Sequence, residues 1–176
     1  MAAKKTSMFT LTERVTISAA GTDTQATIDL GSYVDVGDRQ AIQIHSVDYI
    51  VQGDTASQTL TSSVGADAQI NVQLTDLNRG SLVFADDRSL VSSMQLLVDY
   101  SNNATTMDAD LYPDNYGKGA DDGRYVVNDQ LYIIGRSSVI AANESVNVTV
   151  RVNASIVSLT AKDFMAIAIQ STAADN

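Results

Sequence analysis

Between Val146 and Ile156 the chain alternates almost without a break. Val146, Val148, Val150, Val152, Ala154 and Ile156 fall on one side, and Asn147, Thr149, Arg151, Asn153 and Ser155 on the other. A period of two places these sets on opposite faces of a β-strand, whereas a helix would scatter the valines around its circumference. About eight segments of this character occur along the 176 residues. The chain therefore has to be built from half-buried strands.

The other segments carry the same signal with more interruption. Phe9–Ser18 alternates through Phe9, Leu11, Glu13, Val15 and Ile17, and a turn at Ala19–Asp23 leads to a second strand at Thr24–Leu30. Gln40–Gln52 is long, and its apolar face moves from Ile42 and Ile44 to Val47, Tyr49 and Val51. That change of phase near Ser46 implies a bulge or a bend. Ala68–Thr75 and Val126–Gly135 read as further strands. In Leu90, Val91, Met94, Leu97 and Val98 the spacing becomes helical, behind an Asp/Ser cluster suited to an N-cap, so a short helix is expected there. The competing reading is a strand through Leu96, Val98 and Tyr100. Ser101–Arg124 is the longest irregular stretch and holds the single proline, Pro113. Lys162–Gln170 sets Phe164, Ala166 and Ala168 against Met165, Ile167 and Ile169. With both faces apolar, it is expected to be a last, central strand covered on both sides.

Composition narrows the class. Asp outnumbers Glu 19 to 2, and Asp favours turns where Glu favours helices, so the bias fits strands joined by loops. Cysteine is absent and His45 is the lone histidine, which removes disulfide frameworks, thiol nucleophiles and most zinc or triad chemistry. The net charge of −10 opposes non-specific binding to nucleic acid or an anionic membrane, and Lys4-Lys5 is the one basic cluster. The expectation is a chain made in a cytoplasm, with no signal peptide and no transmembrane helix. Walker A, dinucleotide, G-x-S-x-G and H-E-x-x-H motifs are all missing, and no enzymatic activity is expected.

These features specify an all-β chain: an eight-stranded antiparallel β-sandwich with one short helix. Strand count and long crossing loops favour a jelly roll over an immunoglobulin fold. Residues 1–8 form a flexible N-terminal segment, 9–171 a single domain and 172–176 a tail.

Two sets of residues are candidates for sites. Asp108, Asp110, Asp114, Asp121 and Asp122 share a stretch with three glycines, and clustered carboxylates are hard ligands of the kind Ca²⁺ takes. The spacing is not that of an EF-hand, and a solvated acidic loop is the favoured reading. No other cofactor is implied. The second set is the polar face of the alternating run, Asn147, Thr149, Arg151 and Asn153, a candidate subunit-contact surface. His45, inside a strand, is read as packed or hydrogen-bonded in preference to a pH-sensitive interface group. The four Asn-x-Ser/Thr matches are chance products of an Asn- and Ser/Thr-rich chain.

The layout also resembles a known family. A polar N-terminus runs into Phe9-Thr10-Leu11, followed by Ile28-Asp29-Leu30-Gly31-Ser32-Tyr33-Val34-Asp35 and Ile42-Gln43-Ile44-His45-Ser46-Val47-Asp48-Tyr49. Later come Asn128-Asp129-Gln130-Leu131-Tyr132-Ile133 and the closing strands. Together this is similar to single jelly-roll viral capsid proteins of environmental and archaeal viruses. The resemblance implies a virion structural protein that self-assembles into an icosahedral shell. Its partners would be copies of itself and other capsid proteins, and an internal membrane or inner layer. Met1–Ser7 lacks the Arg/Lys-rich arm of many such proteins, which argues against direct nucleic-acid binding. The alternative is a Ca²⁺-dependent carbohydrate-binding or adhesion β-sandwich. A hydrolase is a distant third, for want of a convergent constellation of tunable groups.

Overall fold

The alternating segment is the spine of the molecule. In a computed structural model that describes residues 3–4, 6–112 and 124–173, it forms strand β10 (Val146–Ser158). β10 is hydrogen-bonded on both sides, to β2 (Phe9–Ile17) from Val146 to Ala154 and to β4 (Gln40–Gln52) from Asn147 to Ser158. Val146, Val148, Val150, Val152 and Ala154 are fully buried in the core, with Ile156 packed against it, while Asn147, Thr149, Arg151, Asn153, Ser155 and Val157 stand on the outer face of the sheet.

Ten strands and two helices make up the described chain. Before β2 lies β1 (Ala3–Lys4), which pairs with the far end of β10. β3 (Thr24–Asp29) precedes β4, and α1 (Leu60–Val64) follows it. Then come β5 (Ala68–Thr75), β6 (Leu90–Asp99), β7 (Ala104–Tyr112), β8 (Arg124–Val126), β9 (Gln130–Ser137), β10 and α2 (Ala161–Ala173). One sheet places β10 between β2 and β4, with β8 beyond β4; the other runs β3-β9-β5-β6-β7.

The pairing is nested. β2 pairs β10, β3 pairs β9, β4 pairs β8 and β5 pairs β6, every pair antiparallel, and successive pairs lie in alternate sheets. This is a long antiparallel ribbon rolled so that its two halves face each other, which is the jelly roll. Eight strands form the roll, as expected. β1 extends the line of β2, and β7 adds a strand at the edge beside β6.

Between the sheets lies one core of Val15, Ile17, Ile28, Leu30, Ile42, Ile44, Ile70, Val72, Leu74, Leu131, Ile133, Val146, Val148, Val150 and Val152, among others. β4 reaches this core with both of its apolar phases because of a bulge. Ser46 pairs Asn153 and Ile44 pairs Ala154, leaving His45 as the extra residue, where the change of phase was expected.

Three expectations are corrected. The helical spacing from Leu90 is strand β6. A second bulge explains it: Ser92 pairs Leu74 and Leu90 pairs Thr75, so Val91 is extra. The inward side chains therefore run Val91, Met94, Leu96, Val98, and the three-residue step across the bulge imitates a helical one. Ser101–Arg124 is not irregular throughout, because Ala104–Tyr112 pairs with β6, where a neighbouring edge strand outweighs weak local propensity. Lys162–Gln170 is not a central strand but part of helix α2. Phe164, Ile167 and Ala168, at i, i+3 and i+4, cover Ala41, Val127, Val157 and Leu159 on the outer face of the first sheet, while Met165 and Ile169 point to solvent. Thr160 caps the helix: its Oγ1 accepts from the Asp163 amide (3.2 Å) and donates to Asp163 Oδ2 (2.8 Å). The segment reads as apolar on both faces because Met165, Ala166 and Ile169 are apolar yet exposed, and Ala and Met are good helix formers.

Two glycines are required by the backbone. Gly65 ends α1 at φ 72°, donating its N–H to the Thr61 carbonyl. Gly135 lets β9 pass close over β2, since a Cβ there would stand 3.0 Å from Ile17 Cδ1 and 3.3 Å from Val15 Cγ1. Replacing Gly135 with Val should cost about 2–3 kcal/mol by forcing the sheets apart. Urea denaturation measures this, and an unchanged midpoint would contradict the close approach.

Candidate functional site

Three features stand outside the main core: the polar face of β10, the loop end where α2 starts, and a buried charge cluster beside β8.

The polar face is an internally bonded ladder. Thr16 Oγ1 donates to Asn147 Oδ1 (2.8 Å), and Asn147 Nδ2 donates to the carbonyls of Gly53 (2.9 Å) and Asp54 (3.2 Å). Six residues on, Thr10 Oγ1 donates to Asn153 Oδ1 (2.8 Å), and Asn153 Nδ2 to Ser46 Oγ (2.8 Å). Asn153 thus ties β2 to β4 across β10, and Asn147 ties β2 to the turn that follows β4. His45 closes the series, its Nε2 lying 2.8 Å from Ser155 Oγ. Of the four expected contact residues, Asn147 and Asn153 are therefore spent within the chain, and Thr149 is half-buried. Arg151 alone on β10 is exposed, in register between Thr12 of β2 and Asp48 of β4.

Antiparallel nesting brings the β3–β4 and β5–β6 loops, the β8–β9 turn and the end of β10 to one end of the sandwich. Leu30 N donates to Asp129 O (2.7 Å), and Leu159 N to Arg39 O (3.0 Å). Exposed apolar side chains gather on these segments: Val36 at 70% and Phe84 at 87%, with Met8 just before β2. α2 departs from the same end with Met165 and Ile169 outward.

The charge cluster lies at that end too. Asp76 follows β5, and its side chain is only 7% exposed. Arg124, the first residue of β8, donates from Nη2 to Asp76 Oδ2 (2.9 Å) and to the Arg88 carbonyl (2.6 Å). Asp76 Oδ1 is buried and has no hydrogen-bond partner among the described residues. Burial pushes the Asp76 carboxyl above the ordinary aspartate range, against the opposing pull of Arg124 and, more weakly, Arg79. Nearby, Arg79 donates to Ser89 Oγ (3.1 Å) and Asp87 Oδ1 (3.3 Å). Partial burial pushes Asp87 upward, but hydrogen bonds from the Ser89 hydroxyl and amide, with Arg79, outweigh it and hold that carboxyl low.

Asp108 and Asp110 belong to strand β7, with Asp108 in register with Gln95. Asp114, Asp121 and Asp122 lie outside the described residues. Among the described residues no three His, Asp or Glu side chains converge on a metal-sized site, and no helix is long and apolar enough to cross a membrane. The Asp76–Arg124 pair has no counterpart in the sequence expectations, because its partners are far apart in the chain and belong to no motif.

No family model matches the chain, and no curated protein matches it. Among solved structures it is similar to a chain from Desmodium yellow mottle tymovirus, at 8% identity and a TM-score of 0.36, covering 88% of this chain and 90% of that one. It is also similar to VP1 of Trichodysplasia spinulosa-associated polyomavirus, solved in complex with GM1 oligosaccharide. There the identity is 9% and the TM-score 0.43, covering 89% of this chain and 97% of that one.

Removing the cation should cost more than removing the pair. Arg124→Gln leaves a buried carboxylate without its partner and should lower stability at neutral pH by about 2–3 kcal/mol, given that Arg124 is partly exposed. Asp76→Asn should be tolerated, and the double variant should regain most of the loss. Urea midpoints of the three variants at pH 7 test the cycle; additive losses would show that the two side chains are uncoupled.

Proposed function

We propose that this chain is a capsid subunit that associates with copies of itself to build a closed shell in the virion. The observation that carries the reading is the jelly roll whose single loop end gathers Met8, Val36 and Phe84 as exposed apolar side chains. Large apolar groups left in water on neighbouring segments mark interaction surfaces. A rigid roll presenting the same end and edges in every copy suits symmetric repetition. The resemblance in strand layout to single jelly-roll capsid proteins supports the same role. An icosahedral arrangement is the closed form proposed for the shell.

The outer face supplies a second contact. With Asn147 and Asn153 committed inside the ladder, Arg151 is the group on β10 free to reach a neighbouring subunit. On a chain of net charge −10, an exposed cation in the middle of a sheet is a natural receptor for a neighbour's carboxylate. Copies of so acidic a chain repel one another, and salt relieves that repulsion, since charges more than about 8 Å apart are largely screened at physiological ionic strength.

The purified chain should therefore form multimers or shells, more readily as salt is raised, visible by negative-stain microscopy and gel filtration. Phe84→Ser and Arg151→Glu should each reduce assembly while shifting unfolding free energy by less than about 0.5 kcal/mol, as expected for exposed positions. A chain that stays monomeric across salt and Ca²⁺ conditions would sink the proposal. Equal loss of folding and assembly would remove these two residues from the contact.

A further inference from the structure

We propose that Asp76 and Arg124 form a proton-operated clasp: it fixes edge strand β8 to the β5–β6 loop, and proton uptake by Asp76 frees β8 without unfolding the sandwich. Among the described residues β8 is the shortest strand of the roll. Its three residues, Arg124 to Val126, pair with β4 there at Ile44, Gln43 and Ile42. Arg124 adds the two anchors that reach beyond the sheet, to Asp76 Oδ2 and to the Arg88 carbonyl.

Asp76 is built to change charge without moving. Its amide donates to the Ser89 carbonyl (2.9 Å), and its carbonyl accepts from Asn128 Nδ2 (2.6 Å), so its backbone is held independently of its carboxylate. The carboxylate has a single bonded oxygen, and the other is buried and unpartnered among the described residues. A proton on that free oxygen neutralises the carboxyl and removes the charge that attracts Arg124. The charged groups facing it among the described residues are Arg124 from β8 and Arg79 from the β5–β6 loop, the latter engaged by Asp87. Arg124 is 27% exposed, so its guanidinium can turn to solvent once released.

The sign separates this device from ordinary acid denaturation. The native carboxyl holds its proton to a higher pH than the unfolded one. Asp76 thus contributes stability that is full below the unfolded pKa of about 3.9 and is lost as pH rises through the native value. Acid therefore loosens the clasp while favouring the folded chain at this residue. The slackening extends toward α2, because Tyr125 and Val127 lie in the small cluster beneath Phe164.

Hydrogen exchange on the full chain, corrected for the intrinsic effect of pH and followed in Arg124–Asn128, tests the proposal. Protection there should fall at least tenfold as pH is lowered through the Asp76 titration, while β10 stays protected. Asp76→Asn and Arg124→Gln should show low protection in this segment at every pH. Constant protection in the wild type, a pH response that survives in Asp76→Asn, or loss of β8 only together with β10 would each overturn it.

Discussion

Everything in this fold depends on β10 being bonded along both edges. A strand with β2 on one side and β4 on the other cannot slip by one residue without turning its valines out to water and its asparagines into the core. That register fixes which face of the first sheet meets the second. It also fixes where the polar ladder stands. Hydrophobic burial on one face and cross-strand amide bonds on the other act on the same alignment, so neither has to specify it alone. The nested pairing then follows outward, each inner pair constrained by the one that encloses it.

Bulges reconcile a regular core with irregular strands. At His45 and Val91 one extra residue shifts the side-chain phase, so that β4 and β6 meet the core along their whole lengths. Their consequences differ for a reader of the sequence. In β4 the change of phase falls inside an obvious strand and shows itself. In β6 it falls at the start, turns a two-residue period into an i, i+3 step and imitates a helix. The opposite confusion affects α2, where Met165, Ala166 and Ile169 on the solvent side imitate the second apolar face of a buried strand. Periodicity reports the direction of side chains, and it misleads where the backbone adds a residue or where a small apolar residue sits outside. The Thr160-x-x-Asp163 cap was the local signal that could have identified α2.

The sites show the same division. The outward face of β10 was legible because alternation alone separates it from the core. Its hydrogen bonds were not, since they depend on Thr10, Thr16 and Ser46 being carried into register from distant strands. The Asp76–Arg124 pair was illegible for a stronger reason. Its significance lies in burial and in an oxygen left unpartnered, and neither property belongs to a residue until the fold has closed around it.

The molecule separates its stabilising contacts from the surface it offers to others. On the outer face of the first sheet, α2 covers the apolar end around Val157, and the ladder ties up Asn147 and Asn153, leaving Arg151 as the one exposed charge of β10. At the loop end the order is reversed. Apolar groups on the β3–β4 and β5–β6 loops are exposed, while charges are drawn inward to hold β8. Apolar side chains at the tip add little to the stability of one copy, because they touch water there. They gain their free energy only when another surface covers them, at a cost in charge repulsion that depends on salt. What such a surface gains from being covered is therefore largely independent of what holds the chain together.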